Sequence, residues 1–130
     1  LNAKILKYKR LYDSLTKLNI KLPVQAEWVP LQKYSEYIKL QFSAAYMLND
    51  SGSAIEEAPL MNVPVITPRE STERQLAEHN SFIRLEQGED ISSDRIKFFL
   101  DNYNPDNSWL GDGQTSELIV EKIKQILKIG

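Results

Sequence analysis

Four short apolar runs, each followed by a segment with helical periodicity, narrow what this chain can fold into more than any other feature. "VQAEWV", "AAYMLN", "VPVIT" and "SFIRL" have the length and the apolar character of strands. The first leads into a helix opened by Pro30, with Leu31, Tyr34, Tyr37, Ile38 and Phe42 on one side. The second leads into "SAIEEAPLMN", a short helix that Pro59 should end or kink. The third leads into "STERQLAEHN", where Thr72 and Gln75 have capping-box spacing. The fourth leads into a helix marked by Ile96, Phe99, Leu100 and Tyr103. "NPDNSWLGDGQ" then reads as a loop, and Leu118, Ile119, Ile123, Ile126 and Leu127 mark a terminal helix. Alternation of this kind predicts an α/β fold: a Rossmann-like parallel sheet with helices on both faces.

Ahead of the first strand, Ile5, Tyr8, Leu11, Leu15 and Leu18 recur at steps of three and four and predict an opening amphipathic helix, ended near Pro23. A helix in front of the first strand is unusual for such a sheet, and the chain starts with Leu1 rather than Met. Both lead to the expectation that these 130 residues are a piece of a longer protein.

Composition excludes several classes of function. Net charge is −2, so nothing global attracts nucleic acid. Lys4, Lys7, Lys9, Arg10, Lys17 and Lys21 face only Asp13 in the first 21 residues, a local +5 that reads as a solvated helix face. With no cysteine there is neither a disulfide nor a thiolate, which is consistent with a reducing, cytoplasmic setting. The single histidine, His79, speaks against a multi-histidine metal site and reads as a surface residue. No apolar run approaches the roughly 20 residues a membrane span needs.

The junction "AAYMLN-DSGSAIEEAP" carries the strongest site signal. Ligands of open parallel sheets bind beyond the carboxyl ends of the strands. Ser51, Gly52 and Ser53 stand there, at the start of a helix whose amides and dipole favour an anion, phosphate above all. Glu56 and Glu57 are about 100° apart around the helix axis, so they do not converge as an acid–base pair. Ser53 and Glu56 have capping-box spacing, which gives Glu56 a structural role. Glu57 reads either as a solvated acid or as an acceptor for ligand hydroxyls. Asp50 reads as a turn former.

"DSGSAIEEAP", "RESTER" and "GDGQTSE", in this order and preceded by "VPLQKYSEYIKL", resemble the C-terminal part of the non-hydrolysing UDP-N-acetylglucosamine 2-epimerases. The resemblance implies part of the C-terminal domain of a two-domain glycosyltransferase-B-type fold. It implies an isomerase that interconverts UDP-GlcNAc and UDP-ManNAc by eliminating and re-adding UDP, with no separate redox cofactor and no metal. By position, Ser51, Gly52 and Ser53 would line the UDP phosphates and Glu57 would take the ribose hydroxyls. Tyr37 would stack near the uracil, its alternative being a core residue of its helix. Arg69, Glu73 and Arg74 would line the cleft, their alternative being a surface ion-pair cluster. Gly111, Asp112 and Gly113 match the loop before the last helix.

Three departures stand out. Ser53 replaces a family glycine, where its hydroxyl is expected to cap the helix and compete with phosphate. Gln75-Leu76 replaces Pro-Glu, so the entry to that helix is expected to differ. The family's catalytic acids lie in an N-terminal domain outside this sequence, so no catalytic residue is assigned here and the 130 residues alone are expected to be inactive. The expected partners are UDP or a UDP-sugar and the missing domain or a partner chain; a homo-oligomer is compatible, nucleic acid and membrane are not expected. A stand-alone or degenerate UDP-sugar-binding module, or the donor domain of a glycosyltransferase, are the alternatives.

Overall fold

The computed structural model describes residues 2–78 and 80–129, apart from the side chain of Leu76, and divides into two compact units, residues 1–39 and 40–130. His79 lies outside the described residues.

The first unit begins with a strand, not a helix. β1 (Ala3–Leu6) pairs in parallel with β2 (Ala26–Val29), Ile5 opposite Trp28, and α1 (Lys9–Lys17) connects them. The predicted opening helix is therefore wrong for residues 3–6. Ile5 and Tyr8 happen to continue the helical spacing of Leu11 and Leu15. The strand is specified by a partner more than 20 residues away, which local periodicity cannot register. Tyr12 of α1 packs edge-on against Trp28, with ring centroids 5.4 Å apart, and Lys7 lies 4.2 Å from the Tyr12 ring. Asn19, at φ 53°, ends α1: Ile20 N–H reaches back to Leu15 O and Asn19 N–H to Thr16 O. The next helix, α2 (Tyr34–Phe42), starts four residues after Pro30.

The second unit is built on a three-stranded parallel sheet in the order β3 (Met47–Leu48), β4 (Val65–Thr67), β5 (Phe82–Arg84). Its strands alternate between two cores. Val65 and Phe82 join Ile55, Ala58, Val63 and Ala77 in one cluster, while Ile66 and Ile83 join Ile96 and Phe99 in the other. Successive residues of a strand point to opposite faces, so the sheet buries both. α3 (Gly52–Leu60) supplies one cover and α4 (Asp94–Asp101) the other. Helices on both faces of a parallel sheet are as the alternation predicts. The described strands, however, number five and form two sheets, not one sheet of four.

α3 runs one residue past Pro59, and Asn62 at φ 57° stops it, with Val63 N–H on Ala58 O and Asn62 N–H on Pro59 O. The expected helix over "STERQLAEHN" is a single 3-10 turn, Gln75–Ala77. The Thr72 hydroxyl accepts from the Arg74 amide, two residues on, and not from Gln75. That local turn competes with helix initiation. The "NPDNSWLGDGQ" loop contains another short turn, Ser108–Leu110. Asn107 and Trp109 pin it through bonds to Pro59 O and Ser81 Oγ. Gly111 and Gly113, at φ 78° and 86°, make the turn into α5 (Thr115–Leu127), whose apolar residues, Leu118 to Leu127, are exposed.

Two side chains brace the sheet. The Tyr103 hydroxyl lies 3.2 Å from Val63 O and 3.1 Å from Ser81 O, bridging the entries to β4 and β5, and burial pushes its phenol above the usual range. Arg95 of α4 donates to Glu89 and to Arg84 O, tying α4 to the end of β5. That Arg95 hydrogen bond, helped by the Glu86 amide, holds the Glu89 carboxyl down at about 2 against a usual 4.5. Tyr103→Phe should cost about 1 kcal/mol in urea denaturation. A depressed carboxyl contributes stability above its unfolded value and loses it as pH falls through the folded one. Glu89→Gln should therefore flatten the decline in stability between pH 4.5 and about 2, measured as Tm against pH.

Candidate functional site

The junction of β3 and α3 forms as the sequence suggests. The chain leaves Leu48, and the Asn49 side chain accepts the Ser51 amide at 2.7 Å. The turn-forming side chain is therefore Asn49, not Asp50. Ser51 is the residue before the helix, in extended conformation at φ −83° and ψ 129°, and its side chain caps no helical amide. Its hydroxyl pairs with that of Ser53 at 3.0 Å. The expected cap by Ser53 and Glu56 is absent, and Ser53 is tied to a neighbouring hydroxyl, not to the helix amides. The first amides of α3 thus open onto the carboxyl end of the sheet without a serine hydroxyl over them. That is a good arrangement for an anion.

Glu56 is used differently. Its Oε1 accepts from Arg74 Nε at 2.5 Å, which joins α3 to the "RESTER" segment. Arg74 also lies 3.8 Å from Glu73, and Arg69 lies 3.6 Å from the same carboxylate. Arg69, Glu73 and Arg74 therefore do form an ion-pair cluster, and the cluster sits against the helix start. A Cβ built on Gly52 would come within 3.1 Å of Glu73 Oε1. A side chain at Gly52 would therefore require the exposed Glu73 carboxylate to shift slightly. A bond from its own backbone amide, followed by the charges of Arg69 and Arg74, holds the Glu73 carboxyl below its usual value against partial desolvation. Two motifs some 20 residues apart in sequence are brought together at one helix N-terminus.

Glu57, the next residue along α3, is half-buried and accepts from Gln41 Nε2 at 3.1 Å. Gln41 is a buried residue of α2 that sequence reasoning did not single out. Its signal was only a polar residue among apolar ones near the end of a helix. In the first unit, Tyr37 is half-buried and lines a cavity of about 220 Å³ with Leu6, Tyr8, Leu31, Gln32 and Tyr34. Gly111, Asp112 and Gly113 form a turn in which Asp112 accepts the Gln114 amide at 3.1 Å. Among the described residues no cluster of three His, Cys, Asp or Glu residues could hold a metal ion, and no helix is long and apolar enough to cross a membrane.

The family model for UDP-N-acetylglucosamine 2-epimerase matches residues 5–124. The chain belongs to the UDP-N-acetylglucosamine 2-epimerase family. Within it, the chain is 33% identical over 88 residues to the UDP-N-acetylglucosamine 2-epimerase of Methanococcus maripaludis, covering 67% of this chain and 24% of that one. It is 30% identical over 118 residues to that of Methanocaldococcus jannaschii, covering 90% of this chain and 31% of the relative. The crystal structure of the M. jannaschii UDP-GlcNAc 2-epimerase in complex with UDP-GlcNAc and UDP superimposes with a TM-score of 0.77 at 25% identity, over 95% of this chain and 36% of that chain. A Staphylococcus aureus structure with UDP matches in fold with a TM-score of 0.64 at 24% identity, over 95% of this chain and 35% of that one. The chain spans roughly a quarter to a third of the length of these 2-epimerase relatives.

The Glu56–Arg74 pair gives a test of the local architecture. A double-mutant cycle of Glu56→Gln and Arg74→Met should return a coupling of about 1 kcal/mol in urea denaturation, since both side chains are only partly exposed. A coupling near zero would mean that the two motifs are held together by packing alone.

Proposed function

We propose that the chain is the UDP-binding portion of an enzyme that interconverts UDP-GlcNAc and UDP-ManNAc. The observation that carries this reading is the start of α3: Ser51, Gly52 and Ser53 follow β3 after only Asn49 and Asp50, and the Ser51 hydroxyl, paired with that of Ser53, caps no helix amide. A diphosphate accepts from such amides and is favoured by the helix dipole. Arg69 and Arg74, ion-paired with Glu73 and Glu56, are the cations beside this helix start that a diphosphate could engage. Glu57 takes the ribose hydroxyls on the next turn of the same helix. Tyr37 is the residue that the family resemblance offers for stacking on the uracil. The complex of the M. jannaschii relative with UDP-GlcNAc and UDP supports the ligand class.

In the reaction, a base removes the proton from C2 of the sugar as the C1–oxygen bond breaks. The electron pair leaves with UDP, and 2-acetamidoglucal remains. Re-addition of UDP and return of the proton to the opposite face of C2 completes the inversion. The residues proposed here hold the leaving group. Negative charge builds on the β-phosphate as the bond breaks, and fixed amide dipoles aimed at it lower the barrier without reorganising. The base and acid are assigned to the remainder of the enzyme, so the chain alone binds UDP without turning over UDP-GlcNAc.

Calorimetric titration of UDP into the chain tests the reading. Binding should be measurable, and the Ser53→Gly variant should bind about two- to tenfold more tightly. Removing the Ser53 hydroxyl releases that of Ser51 for a phosphate oxygen, a gain of one ordinary hydrogen bond. Equal or weaker binding by Ser53→Gly would count against the phosphate assignment, and UDP-ManNAc formed from UDP-GlcNAc by this chain alone would refute the division of labour.

A further inference from the structure

Gln41 is 2% exposed, yet its side chain is polar. Its Nε2 donates to Glu57 Oε2 at 3.1 Å. A carboxylate only accepts, so the amide nitrogen must face Glu57, and this fixes the orientation of the whole amide. The oxygen on its other side, Oε1, is buried and has no hydrogen-bond partner. An orphaned buried acceptor destabilises a fold. A methionine would fill nearly the same volume and leave no orphan. The arrangement thus favours a fixed Glu57 carboxylate over the best-packed core.

Resting on the reading of Glu57 as the ribose-binding acid, we propose that Gln41 is a positioning residue: its buried amide aims the Glu57 carboxylate at the vicinal hydroxyls of the ligand and so sets the preference for ribose over deoxyribose. Glutamate has three rotatable side-chain bonds, and a half-buried one on a helix can still sample several directions. A donor fixed in the core removes that freedom before the ligand arrives.

The experiment compares UDP with 2′,3′-dideoxy-UDP by calorimetry on the full chain and on Gln41→Met, Gln41→Leu and Glu57→Gln. Gln41→Met should weaken UDP about tenfold while changing 2′,3′-dideoxy-UDP by less than about twofold, because only the hydroxyl contacts depend on Glu57. Its Tm should stay level or rise, since the orphaned acceptor is gone. Gln41→Leu should behave alike, which separates loss of the donor from any defect peculiar to methionine. Equal weakening of both nucleotides, or a fall in Tm that accounts for the loss, would assign Gln41 a purely structural role and overturn the proposal. Unchanged UDP binding in both Gln41 variants, with Glu57→Gln still losing the preference for UDP, would overturn the proposal and leave the ribose reading standing. A Glu57→Gln variant that keeps the full preference, or a chain that binds no UDP, would overturn both.

Discussion

The second unit depends on one constraint: a parallel sheet leaves neither face to water. Each strand of three residues or fewer must serve two cores at once, and Val65 and Ile66 do so in consecutive positions. α3, between β3 and β4, covers one face, and α4, after β5, covers the other. Parallel strands leave the sheet at the same end each time. The β3–α3 junction and the "RESTER" segment after β4 both leave from that end. Arg74 and Glu73 meet Glu56 and Gly52 for this reason. The cluster at the start of α3 is a by-product of the packing, refined by the residues that the turns happen to carry.

Charge then organises what packing brings together. Glu56 and Glu57 are adjacent on α3 but face different partners, Arg74 for one and Gln41 for the other. One carboxylate is engaged by a cation near the helix start, the other by an uncharged amide that is buried. The first arrangement ties a loop to a helix. The second joins two helices, α2 and α3.

Much of this was legible in the residues. The strand at "SFIRL" and the turn at Gly111–Gly113 need only local signals: a β-branched and aromatic run, and glycines where φ is positive. What escaped detection was non-local or a contest between local options. The opening strand is held by a partner beyond α1. Thr72 had two amides within reach and took the nearer, so a capping-box spacing gave a turn. Ser53 and Glu56 had the same spacing, but Ser51 and Arg74 claimed them instead. Gln41 was invisible because its meaning depends on Glu57, 16 positions on and on another helix.

The alternation of β4 between two cores has an evolutionary consequence. Adding or deleting a single residue between Val63 and Thr67 would exchange the faces of Val65 and Ile66, and both clusters would lose a member together. The same slip would rotate Arg69 and its neighbours relative to Gly52. Length variation among descendants of this sequence is therefore expected outside this segment. The spacing from Val65 to Arg74 behaves as a fixed ruler, free to change its letters but not its count.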